Sequence, residues 1–164
     1  MSIQRLQIER FGLISARSFE EVLEGLEKGI GRPDLRELSR RMAEAPSFPE
    51  YERLIRGAVG PADLMEFLRL DLGAALRKDP GAKAYRIVRI IAGNPLIMKQ
   101  MVEEVPAAGS YAPVTILVHE GADGVHLSYD TMASLLAPYG NRRALAVAEA
   151  LDAKVIGLLT QAAG

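Results

Sequence analysis

The spacing of apolar residues in the first part of the chain changes from strand-like to helical. Apolar residues alternate partly with period two from Ile3 to Ile14, which predicts a first β-strand. The next apolar positions recur at helical spacing up to Ile30, and Ser18 with Glu21 forms a capping box at their start. We therefore predict a strand followed by an amphipathic helix that begins after Ser18.

Residues 32–66 contain two stretches of helical spacing that prolines delimit. The first runs from Pro33 to Ala45, and the second runs from Pro49 to Ala58. Acids accompany the arginines of this segment, which is typical of solvated helix faces with local ion pairs. We predict a run of short helices here.

Strand patterns dominate the region that follows. Leu68 to Leu76 predicts a strand with a kink at Gly73, and Tyr85 to Ala92 predicts a strand rich in β-branched residues. Residues 114–120 and 125–129 flank the sequence Gly-Ala-Asp-Gly, which is typical of a hairpin turn. The sequence therefore predicts two further strands joined as a hairpin.

Three more helices are predicted. They span Pro95 to Val105, the residues from a capping Thr131 to Ala137, and Arg142 to about Thr160. Since the sequence has no internal repeat, low-complexity tract or long linker, we predict a single domain over residues 1–164.

Composition excludes several kinds of site. The 164 residues are 49% hydrophobic and 25% charged, which suits one globular domain with its own core. Because the chain has no cysteine, disulfides, thiolate metal sites and cysteine nucleophiles are excluded.

Charge and hydropathy set expectations about partners and location. A net charge of −1 provides no field that attracts nucleic acid or an anionic membrane. No apolar run reaches about 18 residues, and MSIQRLQIER carries charges where a signal peptide needs an apolar run. We expect a cytoplasmic protein of bacterial type that binds neither nucleic acid nor membrane and carries no cofactor. A local exception spans Arg69 to Arg89, where six basic residues and two acids give a net charge of +4 that would attract an anionic ligand.

Several of these stretches together resemble one protein family. They are the first strand with SFEEVLEGLEKGIG, the stretches YRIVRIIAGNPLIMKQM and YAPVTILVHE, and then the hairpin and the final helix. The chain thereby resembles the domain-of-unknown-function family DUF302 over residues 2–31 and about 66–160. None of these motifs is a catalytic signature.

The resemblance implies a fold and an assembly, but no activity. It implies one α+β domain in which a single antiparallel sheet packs against helices, with an outline like that of the TATA-binding protein. That outline does not imply DNA binding, because a fold does not determine a function. The resemblance also implies homodimers. Residues 32–66 depart from the compact family pattern, so we interpret them as a helical insertion.

The sequence AGNPLIMKQM holds three candidate ligand-binding residues. Asn94 precedes Pro95 and is predicted to cap the following helix with its side-chain oxygen, while an anion bound at the helix start is the alternative. Met98 and Met101 lie on the apolar face of that helix. Core packing is the simpler interpretation of these methionines, and contact with a small apolar ligand is the alternative.

A histidine pair is the candidate metal site. If Glu120 faces Val125 across the hairpin, His119 lies opposite His126 with Cβ atoms ~5 Å apart. Two histidines do not complete a zinc site, so Glu120 or Asp130 would have to contribute. A half-exposed polar sheet face without metal is the simpler alternative.

Asp71 is the candidate acid–base group and the fourth candidate ligand residue. It is a lone acid in the apolar run LRLDLGAAL, where burial would raise its pKa. The alternative is that strand alternation points its side chain outward.

Two classes of function follow from these residues. The first is a homodimeric binding or interaction module that holds a small apolar ligand between sheet and helices or at the dimer seam. The second is an enzyme that uses acid–base or metal chemistry at His119 and His126 or at Asp71.

Overall fold

One antiparallel sheet organises the part of the chain that the computed structural model describes, which is Ile3 and residues 5–164. The strands are Arg10–Ser15 (β1), Met65–Asp71 (β2), Ile87–Gly93 (β3), Val114–Gly121 (β4) and Gly124–Asp130 (β5). They lie in the order β1-β5-β4-β3-β2, so β4 is central and β1 and β2 are the edges. The predicted α+β class with a single antiparallel sheet is confirmed.

Helices pack on one face of this sheet. Within the described residues they are Phe19–Gly29 (α1), Leu35–Glu44 (α2), Phe48–Ala58 (α3), Gly73–Leu76 (α4), Pro95–Glu104 (α5), Met132–Leu136 (α6) and Arg142–Ala163 (α7). Helix α7 is 22 residues long and packs against α1, α5 and α6. Across residues 3 and 5–164, no helix combines the length and apolar character needed to cross a membrane.

The apolar stripes of these helices explain where the core lies. Ile90, Ile116 and Leu127 point from the sheet into a cluster that includes Leu151 and Val155 of α7. A second, smaller cluster joins Leu38 of α2, Ile55 of α3 and Met65 of β2. The predicted run of short helices between residues 32 and 66 is therefore confirmed as α2 and α3.

Local signals define the start of α1 as predicted. The Ser18 backbone N–H donates to Glu21 Oε2 at 2.8 Å, and the Glu21 N–H donates to Ser18 Oγ at 3.3 Å. This reciprocal capping satisfies backbone donors that the first helical turn leaves free.

Several predicted boundaries are wrong. Strand β1 begins only at Arg10, because Arg10 pairs with Asp130 and β5 ends there; residue 4 of the predicted strand lies outside the described residues. The strand predicted to Leu76 ends at Asp71. A short helix follows, where a Cβ on Gly73 would lie 2.5 Å from the Tyr85 carbonyl oxygen. Helix α2 begins after Asp34, which caps it, rather than at Pro33.

Candidate functional site

The helices leave one face of the sheet uncovered, and we call it the open face. Strand alternation and the register of the strands together determine which side chains lie on it, and these form three rows that cross the strands. The open face consists of Arg10, Gly12, Ile14, Leu68, Leu70, Leu72, Ile87, Arg89, Ile91, Thr115, Leu117, His119, His126, Ser128 and Asp130. None of these residues is buried, in contrast to the alternate positions of β4 and β5.

The open face carries large aliphatic side chains, which is unusual for a sheet surface in contact with water. They belong to neither hydrophobic cluster of the described residues and are Ile14, Leu68, Leu70, Leu72, Ile87, Ile91 and Leu117. Ile14, Leu68 and Leu72 are 51%, 49% and 44% exposed. Exposed apolar patches of this kind mark interaction surfaces on soluble proteins.

Two arginines on the open face differ in how their charge is balanced. Arg10 forms two hydrogen bonds with Asp130, at 2.5 and 2.9 Å, and this ion pair lowers the pKa of Asp130. Arg89 donates to the Thr115 hydroxyl at 3.3 Å but forms no ion pair with any described residue. Its strand neighbours across the sheet are Leu70 and Leu117. Arg89 is therefore an uncompensated cation within an apolar surface.

A groove runs from the open face over the end of the sheet to helix α6. It has a volume of about 410 Å³. Leu72 and Leu117 line it on the open face, while Met132 and Leu135 line it on the helix side. Tyr111 forms part of the wall, and its hydroxyl is hydrogen-bonded to that of Tyr139 at 2.9 Å, which raises the pKa of Tyr111.

The histidine pair lies on the open face in the predicted register. His119 pairs with His126 and Glu120 pairs with Val125, and the two imidazole rings stack with centroids 4.8 Å apart and planes 11° from parallel. His119 Nδ1 is 3.0 Å from the carbonyl oxygen of Glu120, and His126 Nε2 is 2.6 Å from Asp123 Oδ1. Ring nitrogens bind metals in the plane of the ring, so stacked rings direct their lone pairs side by side rather than toward one ion.

The carboxylates expected to complete a metal site are held elsewhere. Glu120 accepts from the backbone N–H and the Nε of Arg86, at 3.0 and 2.8 Å, and Asp130 is bound by Arg10. The Arg86 guanidinium lowers the pKa of Glu120. The residues that the structure describes contain no group of three or more His, Cys, Asp or Glu placed to hold a metal ion. Metal binding at the histidine pair and the enzyme hypothesis stay predictions. The described residues do not assemble a set of metal ligands around the pair.

Asn94 acts as the predicted helix cap. Its Oδ1 accepts from the Leu96 N–H at 2.9 Å, and its Nδ2 donates to the carbonyl and the carboxylate of Asp63 at 3.1 and 2.9 Å. Asn94 is 6% exposed. Since its amide is fully engaged within the fold, it offers no free group to an anion.

The other candidate ligand residues do not meet in one place. Met101 is fully buried in the main core, as its simpler interpretation requires, and Met98 is half-buried. Asp71 is exposed at the end of β2, where Arg77 donates to it and lowers its pKa. The expectation that burial raises the pKa of Asp71 is wrong. Its register partner Val88 lies on the covered face, but β2 ends at Asp71, which leaves the carboxylate exposed beside Arg77. The groove beside α6 is lined by none of these residues.

Sequence reasoning missed a buried polar network on the covered side of the sheet. Tyr129 donates to Asp152 Oδ1 at 2.6 Å, and the Asp152 carboxylate accepts from the N–H groups of Met132 and Ala133 at 2.8 and 3.0 Å. Burial and this hydrogen bond raise the pKa of Tyr129. Thr131 occupies the predicted N-cap position of α6, but its side chain makes no capping bond, so Asp152 of α7 caps α6 instead.

The aliphatic character of the open face was also missed, although the sequence carries a signal for it. The stretch IVRIIAG of β3 is apolar at successive positions rather than alternate ones. Such a run is typical of a strand covered on both faces. In this sheet the helices cover only one of them.

Comparisons with known proteins address the fold and the family. The family model for "Domain of unknown function DUF302" matches residues 40–162. A crystal structure described as an uncharacterized conserved protein DUF302 from Bacillus stearothermophilus is similar, with a TM-score of 0.64 and 10% identity over 93% of this chain and 97% of that chain. At this identity the likeness concerns the fold. No curated protein matches the chain. That residues 32–66 are an insertion stays a prediction.

Proposed function

The chain belongs to the DUF302 family, and from this premise we propose that it is a homodimeric binding module whose two copies meet through the open face and hold a small, mainly apolar ligand at the seam. The observation that carries the proposal is the set of aliphatic side chains on the open face, none of which is buried in the single chain.

The size of the open face supports a second copy as its occupant. Five strands at about 4.8 Å spacing and about 20 Å of strand length give a footprint of roughly 480 Å² before side-chain relief is counted. Apolar patches of a few hundred Å² on soluble proteins mark interaction sites. Two such faces in contact approach the size of weak to standard protein interfaces.

The position of the aliphatic side chains supports contact over the middle of the sheet. Leu117 lies on the central strand β4, and Ile87 and Ile91 lie on its neighbour β3. Burying these side chains against the same side chains of another copy removes apolar surface from water, at roughly 25 cal/mol per Å². A two-fold axis through the sheet would make the contact self-complementary.

The closed interior supports the seam, rather than the space between sheet and helices, as the place for a ligand. Ile97 and Met101 of α5 belong to the main core, with exposures of 8% and 0%. The apolar face of α5 is therefore occupied by the protein's own side chains. The groove between the open face and α6 reaches the surface that a second copy would cover.

Sedimentation velocity with a Leu117→Lys variant tests the dimer. We expect wild-type protein to sediment as a dimer at micromolar concentration and Leu117→Lys to weaken the dimer about 100-fold or more, because an unpaired ammonium would be buried at the seam. Phe48→Lys on α3 is the matched control, since Phe48 is also half-exposed, at 50%, but lies away from the sheet. Circular dichroism checks that each variant folds.

Two results would contradict the proposed dimer. One is wild-type protein that sediments as a monomer throughout the micromolar range. The other is a folded Leu117→Lys variant that dimerises as tightly as Phe48→Lys. Native mass spectrometry of freshly purified wild-type protein checks the ligand: a bound small molecule retained by the dimer supports the module, and its absence from a fully dimeric sample supports interaction alone.

A further inference from the structure

We propose that the groove between the open face and α6 binds a ligand with one negative charge and an apolar body, of the class of aliphatic monocarboxylates, and that Arg89 holds the carboxylate. The inference rests on the proposed function to the extent that a second copy closes the groove over the ligand. It adds a charge and named contacts to a ligand otherwise described only as apolar.

The charge balance of the groove carries the proposal. Among the charged residues that line it, Arg10 is neutralised by Asp130 through two hydrogen bonds. Arg89 has no carboxylate partner in the described part of the chain. The groove therefore holds one excess positive charge. One carboxylate compensates it, whereas a doubly charged phosphate would leave negative charge beside Asp130.

The Thr115 hydroxyl beside Arg89 adds a second donor for a carboxylate. The Thr115 hydroxyl oxygen accepts from Arg89, so its hydrogen is free to donate to an anion. Ser128 lies two strands from Arg89, on the far side of Leu117, and its hydroxyl has no hydrogen-bond partner among the described residues. A guanidinium and a hydroxyl that lie side by side, as those of Arg89 and Thr115 do, can bind one carboxylate through charge-assisted hydrogen bonds.

The remaining walls of the groove suit an apolar body. Leu72, Leu117, Met132 and Leu135 provide aliphatic and thioether surface, and the ring of Tyr111 adds an aromatic face. At about 410 Å³ the groove lies within the size range of small-molecule sites. Methionine adapts its shape to irregular apolar ligands. A chain of several methylene groups therefore fits the groove while its head group reaches Arg89.

Sodium octanoate is the probe, and 1-octanol is the uncharged control of the same length. Isothermal titration calorimetry on the full chain is expected to show one octanoate per chain, with octanol at least tenfold weaker. Arg89→Gln should weaken octanoate binding at least tenfold, and Thr115→Val should weaken it several-fold. Arg142→Gln is the matched control, because Arg142 is exposed at the start of α7 and away from the groove; it should bind octanoate like wild type.

Sedimentation of the same samples separates this site from the dimer. Equal binding of octanoate and octanol, or unchanged binding by folded Arg89→Gln, overturns the carboxylate site and leaves the dimer standing. Loss of the dimer in Arg89→Gln with no octanoate binding by wild type also overturns it, because Arg89 then pairs with a carboxylate of the second copy. A wild-type monomer that binds octanoate through Arg89 supports the site and overturns the proposed dimer.

Discussion

On the helix-covered face of the sheet, Ile90 and Ile116 are fully buried, whereas on the open face Leu68 and Leu72 are 49% and 44% exposed. The side chains are chemically alike, and the strand β2 that carries Leu68 pairs directly with the strand β3 that carries Ile90. What differs is the presence of helices α1, α5 and α7 on one side. An aliphatic residue in a strand therefore does not show by itself whether helices of the same chain cover its face.

The polar groups of the two faces differ in the same way. On the covered face, the Asp152 carboxylate satisfies the Tyr129 hydroxyl and the first N–H groups of α6 at 2.6 to 3.0 Å. On the open face, Arg89 has a single hydrogen bond at 3.3 Å and no ion pair among the described residues. Buried polar groups must find partners within the fold, while an exposed cation retains the capacity to bind another molecule.

The largest expected effect compares two consecutive residues of β4. Ile116→Ala should lower the free energy of unfolding by about 2–5 kcal/mol, because it leaves a cavity in the closed core. Leu117→Ala, on the open face, should cost less than about 1 kcal/mol in the monomer. Urea denaturation measures both losses of stability, at a protein concentration below the dissociation constant of the proposed dimer. Equal losses would show that the open face is already packed within one chain.

The second effect concerns the buried network. Asp152→Ala should destabilise the fold by about 2–4 kcal/mol, because the Tyr129 hydroxyl and the N–H groups of Met132 and Ala133 would be buried without an acceptor. Asp152→Asn is the matched control, since its amide oxygen can still accept and the loss should be smaller. Thermal and urea unfolding give both values. A loss below about 0.5 kcal/mol for Asp152→Ala would mean that water replaces the carboxylate.

A smaller effect is expected from the two asparagine caps. Asn94→Ala should cost about 1–2 kcal/mol, because Asn94 caps α5 and is bonded to Asp63 while buried. Asn141→Ala removes the more exposed cap of α7 and should cost about 1 kcal/mol or less. The measurement is the urea midpoint of each variant. A larger loss of stability in Asn141→Ala than in Asn94→Ala would contradict the idea that burial strengthens the Asn94 cap.

The smallest effect is a change in the pKa of Asp123, which lies in the hairpin turn and contacts His126 of the open face. The hydrogen bond from His126 holds the pKa of Asp123 below its ordinary value, so His126→Phe, which keeps a ring but has no donor, should raise this pKa. Because the folded-state pKa is depressed, the stabilisation is present above the unfolded value of about 3.9 and is lost as pH falls through the folded value. Carboxyl carbon NMR titration of both proteins measures the pKa of Asp123. An unchanged value in His126→Phe would show that the loop, rather than the histidine, lowers it.

The hairpin shows how far sequence reasoning reached in this protein. The Gly-Ala-Asp-Gly turn and the alternation on either side were sufficient to predict that His119 faces His126, because a one-residue slip would have mixed the two faces. Local patterns likewise predicted the cap at Ser18 and the cap at Asn94. These features depend on residues within a few positions of each other or on one short turn.

Contacts with residues outside the local pattern account for the failures. The sequence placed Thr131 at the start of α6, but Asp152 of α7 reaches that start and supplies the cap. It nominated Glu120 and Asp130 as metal ligands, but Arg86 and Arg10 engage them across the sheet. It placed Asp71 in an apolar environment, but the strand ends there and Arg77 faces it. None of these partners is adjacent in sequence to the group it binds.

The sequence by itself determined the order of the elements apart from α4, the hairpin register, and the alternation that divides each strand into two sets of side chains. Tertiary structure decided which set the helices cover, and therefore left Leu117 and Arg89 on the open face while Ile116 and Tyr129 became buried. The physical reason is that alternation follows from the geometry of one strand, whereas burial depends on which distant helix packs against it.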